Sequence, residues 1–159
     1  MHRDQTAGID LRNDVDFFHL LSRSYQRLVG RSLVPQGVTR QQAAQWLYED
    51  APFAILAHNT SNDPKFIYGN KAAQKFFEYD WDELTALPSR LSAEMPERDA
   101  RHQFLQQVKR DGYVIGYSGI RIAKSGRRFR IENATVWQLM DDEGVVHGQA
   151  AMLPQATDL

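Results

Sequence analysis

The feature that most limits the fold of this chain is a long alternation of side chains near its C-terminal end. Between Arg127 and Met140, one set of alternate positions reads Phe, Ile, Asn, Thr, Trp, Leu, and the other reads Arg, Arg, Glu, Ala, Val, Gln. A period of two is typical of a β-strand with one covered face. Turn sequences precede it at Lys124-Ser125-Gly126 and follow it at 141–144, and strand-like segments lie beyond both turns. The sequence therefore predicts three consecutive antiparallel strands.

Two amphipathic helices are predicted at the N-terminal end. From Asn13 or Asp14, apolar residues recur at three- and four-residue intervals as far as Gly30, which suits a helix C-terminus. Thr39 followed by Gln42 forms a capping-box pattern for a second helix, and Pro52 marks its end. Neither segment has the alternation of a strand, and both precede the predicted strands in the sequence.

The middle of the chain predicts two strands followed by short helices. The apolar run 53–58 has the length of a strand, and a polar turn leads from it into Lys65–Tyr68. Asn70 suits a helix N-cap, and Asp80 with Glu83 forms a second capping pattern. A longer helix is predicted over 99–109. With the C-terminal strands, this gives five strands in all.

Charge and hydropathy limit the location and the partners. Nineteen basic and twenty acidic side chains leave a formal net charge of -1, so no overall positive field attracts nucleic acid or anionic membranes. No segment approaches the length of an apolar membrane span, and the first residues are too polar for a signal peptide. We expect a cytoplasmic protein with no nucleic-acid and no membrane partner.

The residues that usually carry catalysis do not form a recognisable set. The chain has no cysteine, which excludes disulfides, thiolate metal sites and cysteine nucleophiles. The five histidines lie far apart without metal-ligand spacing. Ser118 lies in a strand pattern and not at the strand-to-helix turn of a nucleophile elbow. We expect no metal site and no enzymatic activity.

Three local sequences together resemble a PAS domain. The segment 66–73 is similar to the family's strand, asparagine and helix start, 76–84 to its following helix pair, and 124–129 to the hairpin between its third and fourth strands. The resemblance implies an α+β fold: a five-stranded antiparallel sheet with short helices on one face, here with two additional N-terminal helices.

The run from Phe17 through Leu153, including Trp46–Phe53, also resembles the MEKHLA domain. This PAS-related module occurs alone in bacteria and at the C-terminus of plant homeodomain–leucine-zipper proteins. Since no homeodomain or zipper heptad is present, the resemblance implies the stand-alone bacterial type, a sensor in signal transduction that binds a ligand and is regulated through dimerisation. It divides the chain into a flexible N-terminus (1–12), a helical extension (13–51), a PAS-like domain (52–154) and a frayed tail (155–159).

Residue types can be compared with those of PAS domains that bind flavin or haem. At the positions where flavin PAS domains carry amide side chains, the resemblance places Arg121, Ile131 and Ala150, none of which is an amide. For haem, His102 follows a Met-Pro-Glu sequence, but the ligand position falls one residue away, which turns a helical side chain by about 100°. The cofactor is therefore unknown, and the first expectation is that the domain binds none. The alternatives are a haem or flavin redox or gas sensor, with His102 as the haem ligand, and an enzyme that uses the concave pocket.

Counting from the Lys124-Ser125-Gly126 hairpin predicts which residues face the concave side of the sheet. The candidate ligand-binding residues are Tyr117, Arg121, Phe129, Ile131, Asn133, Thr135 and Ala150. One interpretation is that Arg121 holds a small anionic or polar-aromatic ligand, helped by Asn133 or Thr135. The other is that Arg121 reaches solvent or pairs with Glu132 or Glu94. Both interpretations are compatible with the sequence.

The apolar stripe of the first helix predicts a homodimer. Phe17, Phe18, Leu21 and Tyr25 form this stripe, which needs cover from water. The helix can cover its own sheet or that of a second copy. We expect these four residues at a homodimer interface.

Overall fold

The structure is a computed structural model that describes residues 10–93 and 95–159. Two helices come first, α1 (Val15–Val29) and α2 (Arg40–Glu49). Two strands and three helices follow: β1 (Ala54–His58), β2 (Phe66–Gly69), α3 (Lys71–Phe77), α4 (Trp81–Leu84) and α5 (Met95–Asp111), with a 3₁₀ helix (Ser89–Ser92) before α5. The remaining strands are β3 (Tyr113–Ile122), β4 (Arg128–Met140), β5 (Val146–Leu153) and β6 (Gln155–Asp158).

Local sequence signals set the helix ends as predicted. Asp14 caps α1 by accepting from the Phe17 backbone N–H, and Gly30 ends it in the left-handed region at φ 82°. The predicted capping boxes are present at the starts of α2 and α4. Each side-chain oxygen satisfies a backbone donor that the helix itself leaves unpaired.

The strands form one antiparallel sheet in the order β2-β1-β5-β4-β3. This confirms the predicted α+β fold with helices inserted between the second and third strands. The sheet has one more strand than expected, because β6 pairs with β4 from Phe129 to Glu132. The predicted frayed tail is therefore a strand. Its four residues are all exposed, so no apolar pattern reveals it.

Two residues of the predicted flexible N-terminus pack against the folded domain. Leu11 is buried in the same cluster as α1, and the Arg12 guanidinium lies 5.4 Å from the centre of the Trp81 ring. Residues 1–9 of the predicted flexible N-terminus lie outside the described residues.

Helices cover both faces of the sheet. We call the side that packs against α3 and α5 the cup face and the side under α1 and α2 the outer face. On the cup face, Phe129 packs against Phe77, with ring centres 5.1 Å apart. On the outer face, Tyr25 lies edge-on to Trp137 at 4.8 Å, and the Trp137 indole N–H donates to Ser24 Oγ at 3.1 Å. The chain thus has two apolar cores, one on each side of the sheet.

A bulge at Asn133 exchanges the two faces along β4. Tyr117 pairs with Ala134 and Gly119 with Ile131, so two steps along β3 match three along β4. Asn133 has φ 57°, the left-handed conformation of an inserted bulge residue. As a result, Ile131 and Ala134 belong to the core of the cup face, although the sequence alternation places them on opposite faces.

Asn70 joins the outer helices to the sheet and to the cup helices. Its side chain is fully buried, and its Oδ1 accepts from the backbone N–H groups of Ile55 and Ala73, both at 3.0 Å. Its Nδ2 donates to Leu47 O at 2.9 Å and to Phe53 O at 3.0 Å. A single amide therefore satisfies backbone groups of α2, the segment before β1, β1 itself and α3.

We predict that Asn70→Asp lowers the free energy of unfolding by about 3 kcal/mol or more. The carboxylate retains the acceptor but presents its second oxygen to two buried carbonyls, and each buried polar group left unpaired costs about 1–3 kcal/mol. Chemical denaturation measures the change. Thr39→Ala, which removes an exposed helix cap, is the control and should cost about 1 kcal/mol. Equal costs for the two variants would contradict the role assigned to Asn70.

The four residues predicted at a homodimer interface are buried within the chain. Phe17, Phe18, Leu21 and Tyr25 all lie in the outer-face core, and Leu21 is 0% exposed. This packing leaves little of the four side chains for a contact with a second copy, because α1 covers its own sheet. The apolar stripe identified a buried face correctly, but a pattern within one helix does not specify which surface covers it.

Leu21→Ala should therefore destabilise the single chain by about 3 kcal/mol, the typical cost of a cavity in a core. Arg23→Ala is the matched control, since Arg23 lies exposed on the same helix, and it should change the free energy of unfolding by less than about 0.5 kcal/mol. Urea titration at two protein concentrations tests both. A Leu21→Ala protein of unchanged stability that dissociates from a dimer would restore the intermolecular interpretation.

Candidate ligand-binding site

A cavity lies between the cup face and α5. The empty volume of the cavity, including the mouth that opens to solvent, is about 530 Å³. Apolar side chains from the strands and from α3 form most of its wall: Leu56, Phe77, Ile131, Val136, Ala151 and Leu153. From α5, Phe104 and Leu105 complete the wall. Concave, mostly apolar sites with a few polar groups are typical of small-molecule binding.

Arg121 is buried in the wall of this cavity. Only 7% of the residue is exposed, so it does not reach bulk solvent as a snorkelling arginine does. Its Nη1 donates to Ile120 O at 2.8 Å and its Nη2 to Tyr117 Oη at 3.0 Å. Among the described residues, no carboxylate lies within 4.0 Å of the guanidinium, which rules out the predicted pairing with Glu132. The other predicted partner, Glu94, lies outside the described residues.

Aromatic stacking holds the Arg121 side chain in place. The guanidinium carbon lies 5.5 Å from the centre of the Tyr117 ring, which stacks on Phe104 of α5 at 3.8 Å and 22°. Gly119 lies beneath the contact: a Cβ there would come within 2.7 Å of Tyr117 Oη and 3.2 Å of Arg121 Nη1. The absence of a side chain at position 119 therefore gives Arg121 and Tyr117 room to meet.

Gln149 provides a second polar group in the cavity. Its Nε2 donates to Leu105 O on α5 at 3.3 Å, and its Oε1 is buried with no hydrogen-bond partner among the described residues. His58, which pairs with Gln149 across β1 and β5, lines the same part of the cavity. Gln149 is not among the ligand-binding residues predicted by counting from the hairpin. The amide of Gln149 marks it in the sequence as a possible polar group of a site, but the face to which its side chain points depends on the bulge at Asn133.

Four of the predicted ligand-binding residues lie on the cup face. Tyr117, Arg121 and Ile131 line the cavity, and Phe129 packs in the core behind it. Counting from the hairpin succeeded for Phe129 and Ile131 because they precede the bulge in β4, and for Tyr117 and Arg121 because the extra residue lies in β4 and leaves the alternation between them in β3 intact.

Of the other three, Asn133 and Thr135 depart from the predicted placement, whereas Ala150 lines the cavity. Asn133 is exposed at the bulge, and Thr135 is buried beyond it, paired with Met152 rather than facing the cavity. Ala150 borders the cavity but packs in the outer-face core, opposite Trp137. The predicted placement of Asn133 and Thr135 on the concave face is wrong, because Asn133 is the extra residue of β4 and reverses the side chains that follow it.

The haem candidate does not face the cavity. His102 is exposed on α5, whereas the cavity contacts of this helix are Phe104 and Leu105. The side chains of the preceding Met-Pro-Glu sequence lie outside the described residues. In residues 10–93 and 95–159, no group of three or more His, Asp or Glu side chains is placed to hold a metal ion. Within the same ranges, no helix has both the length and the apolar character needed to cross a membrane.

A match between the chain and a family model identifies the family. The model of the MEKHLA domain matches residues 15–157, which include α1, α2, the strands β1 to β5 and all but the last residue of β6. The chain belongs to the MEKHLA domain family. The match treats the two N-terminal helices and the sheet as one unit, in agreement with the packing of α1 on the outer face.

Curated relatives of this MEKHLA domain are plant proteins. Homeobox-leucine zipper protein HOX9 of Oryza sativa subsp. indica is 25% identical over 130 residues, which cover 80% of this chain and 15% of that protein. HOX10 of the same subspecies is 26% identical over 102 residues, covering 64% of this chain and 12% of that protein. The chain thus spans about 15% of the length of the curated relatives it matches.

Solved structures with the same fold are PAS and light-oxygen-voltage domains. A PAS domain from Colwellia psychrerythraea has a TM-score of 0.59 at 16% identity and covers 75% of this chain and 95% of its own. An RNA-binding light-oxygen-voltage receptor also scores 0.59, at 17% identity, covering 76% of this chain and 33% of its own. A PAS domain from a two-component sensor histidine kinase scores 0.56 at 18% identity, covering 74% and 95%. The MEKHLA domain therefore has a PAS-like fold.

We predict that Gly119→Ala displaces the Arg121 guanidinium without unfolding the domain. The new methyl group meets the mobile ends of two side chains rather than backbone, so the cost should be about 1–3 kcal/mol. Side-chain NMR of the Arg121 guanidinium measures the displacement through faster N–H exchange with solvent. Ser118→Ala, at the exposed neighbouring position, is the control. Unchanged Arg121 signals in Gly119→Ala would contradict the packing described here.

Proposed function

We propose that this MEKHLA domain is a non-enzymatic sensor that binds a small anionic molecule in its cup through Arg121. The ligand's anionic group bonds to the guanidinium, and its apolar or aromatic body contacts the wall formed by Ile131, Val136 and Leu56. Binding at this site then changes how the domain interacts with its regulatory partner.

The observation that carries this proposal is the burial of Arg121 without a described carboxylate partner. A buried charge is expensive unless it is paired, and a guanidinium remains charged at any physiological pH. Its bonds to Ile120 O and Tyr117 Oη occupy two of its five N–H donors. The remaining donors are suited to the two oxygens of a carboxylate or phosphate.

The chemistry of the wall supports binding rather than turnover. In the part of the chain that the structure describes, the cavity side chains that carry ionisable, amide or hydroxyl groups are Arg121, Tyr117, Gln149, His58 and Ser92. Ser92 Oγ donates to Ser89 O at 2.7 Å, and His58 Nδ1 lies 2.9 Å from Asn59 O. Neither bond places a general base against a nucleophile, which is the arrangement that acyl transfer requires.

The setting of the domain is a further part of the proposal. We propose that the domain acts in the cytoplasm and that it is a homodimer. Because α1 is buried against its own sheet, the dimer contact uses a surface other than Phe17, Phe18, Leu21 and Tyr25. Sedimentation equilibrium with and without ligand tests this part of the proposal.

Arg121→Gln should weaken an aromatic acid by about thirtyfold, equivalent to about 2 kcal/mol, because it removes the charge while retaining much of the side-chain length. The probes are benzoate and phenylacetate, with benzamide and phenylacetamide as neutral counterparts of the same shape. Titration calorimetry or ligand-observed NMR gives the affinities. The amides should change by less than about twofold, because they lack the charge that forms the ion pair.

Two further variants separate this proposal from the alternative interpretation of Arg121. Arg130→Gln removes an exposed cation from the same sheet, outside the cavity, and should leave the acid affinity unchanged. Glu94→Gln should also leave it unchanged. A clear gain in acid affinity for Glu94→Gln would show that Arg121 is paired internally, and equal weakening of acids and amides by Arg121→Gln would show that its charge does not bind the ligand.

A further inference from the structure

The end of the cavity away from Arg121 carries a fixed hydrogen-bond acceptor. Gln149 Nε2 donates to Leu105 O at 3.3 Å. A backbone carbonyl can only accept, so this contact fixes which end of the amide faces α5. The Gln149 Oε1 is then the atom left beside the cavity, where it is buried and has no partner among the described residues.

The register of the sheet places the backbones of Gln149 and Arg121 at different levels along β4. Arg121 pairs with Phe129 near the β3–β4 hairpin, whereas Gln149 pairs with Gln138 towards the other end of the strand. Ile131 and Val136 line the cavity between these levels. The cavity therefore has a cationic group at one end, an apolar middle and an acceptor at the other end.

We infer that the ligand is a two-ended molecule: an anionic group bound by Arg121, an apolar body, and an N–H or O–H donor that bonds to Gln149 Oε1. This inference rests on the proposed function, because it takes the anionic end as given. A buried acceptor without a donor is disfavoured, and a ligand donor satisfies it when the body fills the apolar middle. Aromatic acids with a phenol or an indole N–H belong to this class.

The test compares acids that differ only in the donor. The probes are 4-hydroxybenzoate, 4-hydroxyphenylacetate and 3-(4-hydroxyphenyl)propionate, each paired with its methyl ether, so that three separations between acid and donor are sampled. For the best-fitting pair, the wild-type protein should bind the phenol about tenfold more tightly than the ether, the ratio expected for one hydrogen bond.

Gln149→Leu should reduce this preference to within about twofold while retaining binding of the ether. Gln138→Leu is the matched control. Its Nε2 also donates to a carbonyl of α5, Lys109 O at 2.8 Å, yet the residue does not line the cavity, so the preference should persist. Thermal unfolding of both variants checks that each folds. A preference caused only by the size of the methoxy group would survive in Gln149→Leu.

The outcomes distinguish this inference from the function on which it rests. If the acids bind through Arg121 but show no preference for the phenol, or if Gln149→Leu keeps the preference, the donor subsite is wrong and the anion site stands. If none of the acids binds, or if Arg121→Gln does not weaken them, the proposed function fails and the two-ended ligand fails with it.

Discussion

The architecture depends on one buried side-chain amide. Asn70 donates to the end of α2 and to the residue before β1, and it accepts from β1 and from the first turn of α3. These four bonds use both amide hydrogens and the carbonyl oxygen, so no other residue type of this size can replace them. The outer helical layer, the sheet and the cup helices therefore meet at one residue. The apolar cores on either side keep that amide away from water, which makes each bond costly to lose.

The second constraint is the bulge in β4. A strand of 13 residues with strict alternation would present one face to the cup over its whole length. The extra residue at Asn133 divides the strand, so that Phe129 and Ile131 contribute to the cup core while Trp137 and Leu139 contribute to the outer core. It also sets which side chains of β5 enter the cavity, because β5 pairs with the part of β4 that follows the bulge. The identity of the polar groups in the cup is thus determined by backbone register rather than by residue pattern alone.

These two features explain what the sequence could predict. The helix caps at Asp14, Thr39 and Asp80 are local hydrogen bonds between neighbouring residues, and they were predictable for that reason. Tyr117 and Arg121 could be assigned to the cup because they lie within a few residues of a turn that fixes their register. Gln149 could not, since its direction depends on a bulge whose only signal is the tolerance of Asn for positive φ. The surface on which α1 packs and the pairing of β6 with β4 depend on tertiary contacts that no local pattern encodes.

The burial of Trp137 gives the domain an intrinsic optical reporter. Of its three tryptophans, Trp137 is 0% exposed, while Trp46 and Trp81 are partly exposed. Its indole bonds to Ser24 of α1, and its neighbour in sequence, Val136, lines the cavity on the other side of the sheet. Indole emission responds to local polarity and hydrogen bonding, so any loosening of α1 from the sheet shifts the wavelength and intensity of this residue's fluorescence. Events inside the cup and the attachment of the outer helix can therefore be followed together in the unlabelled protein.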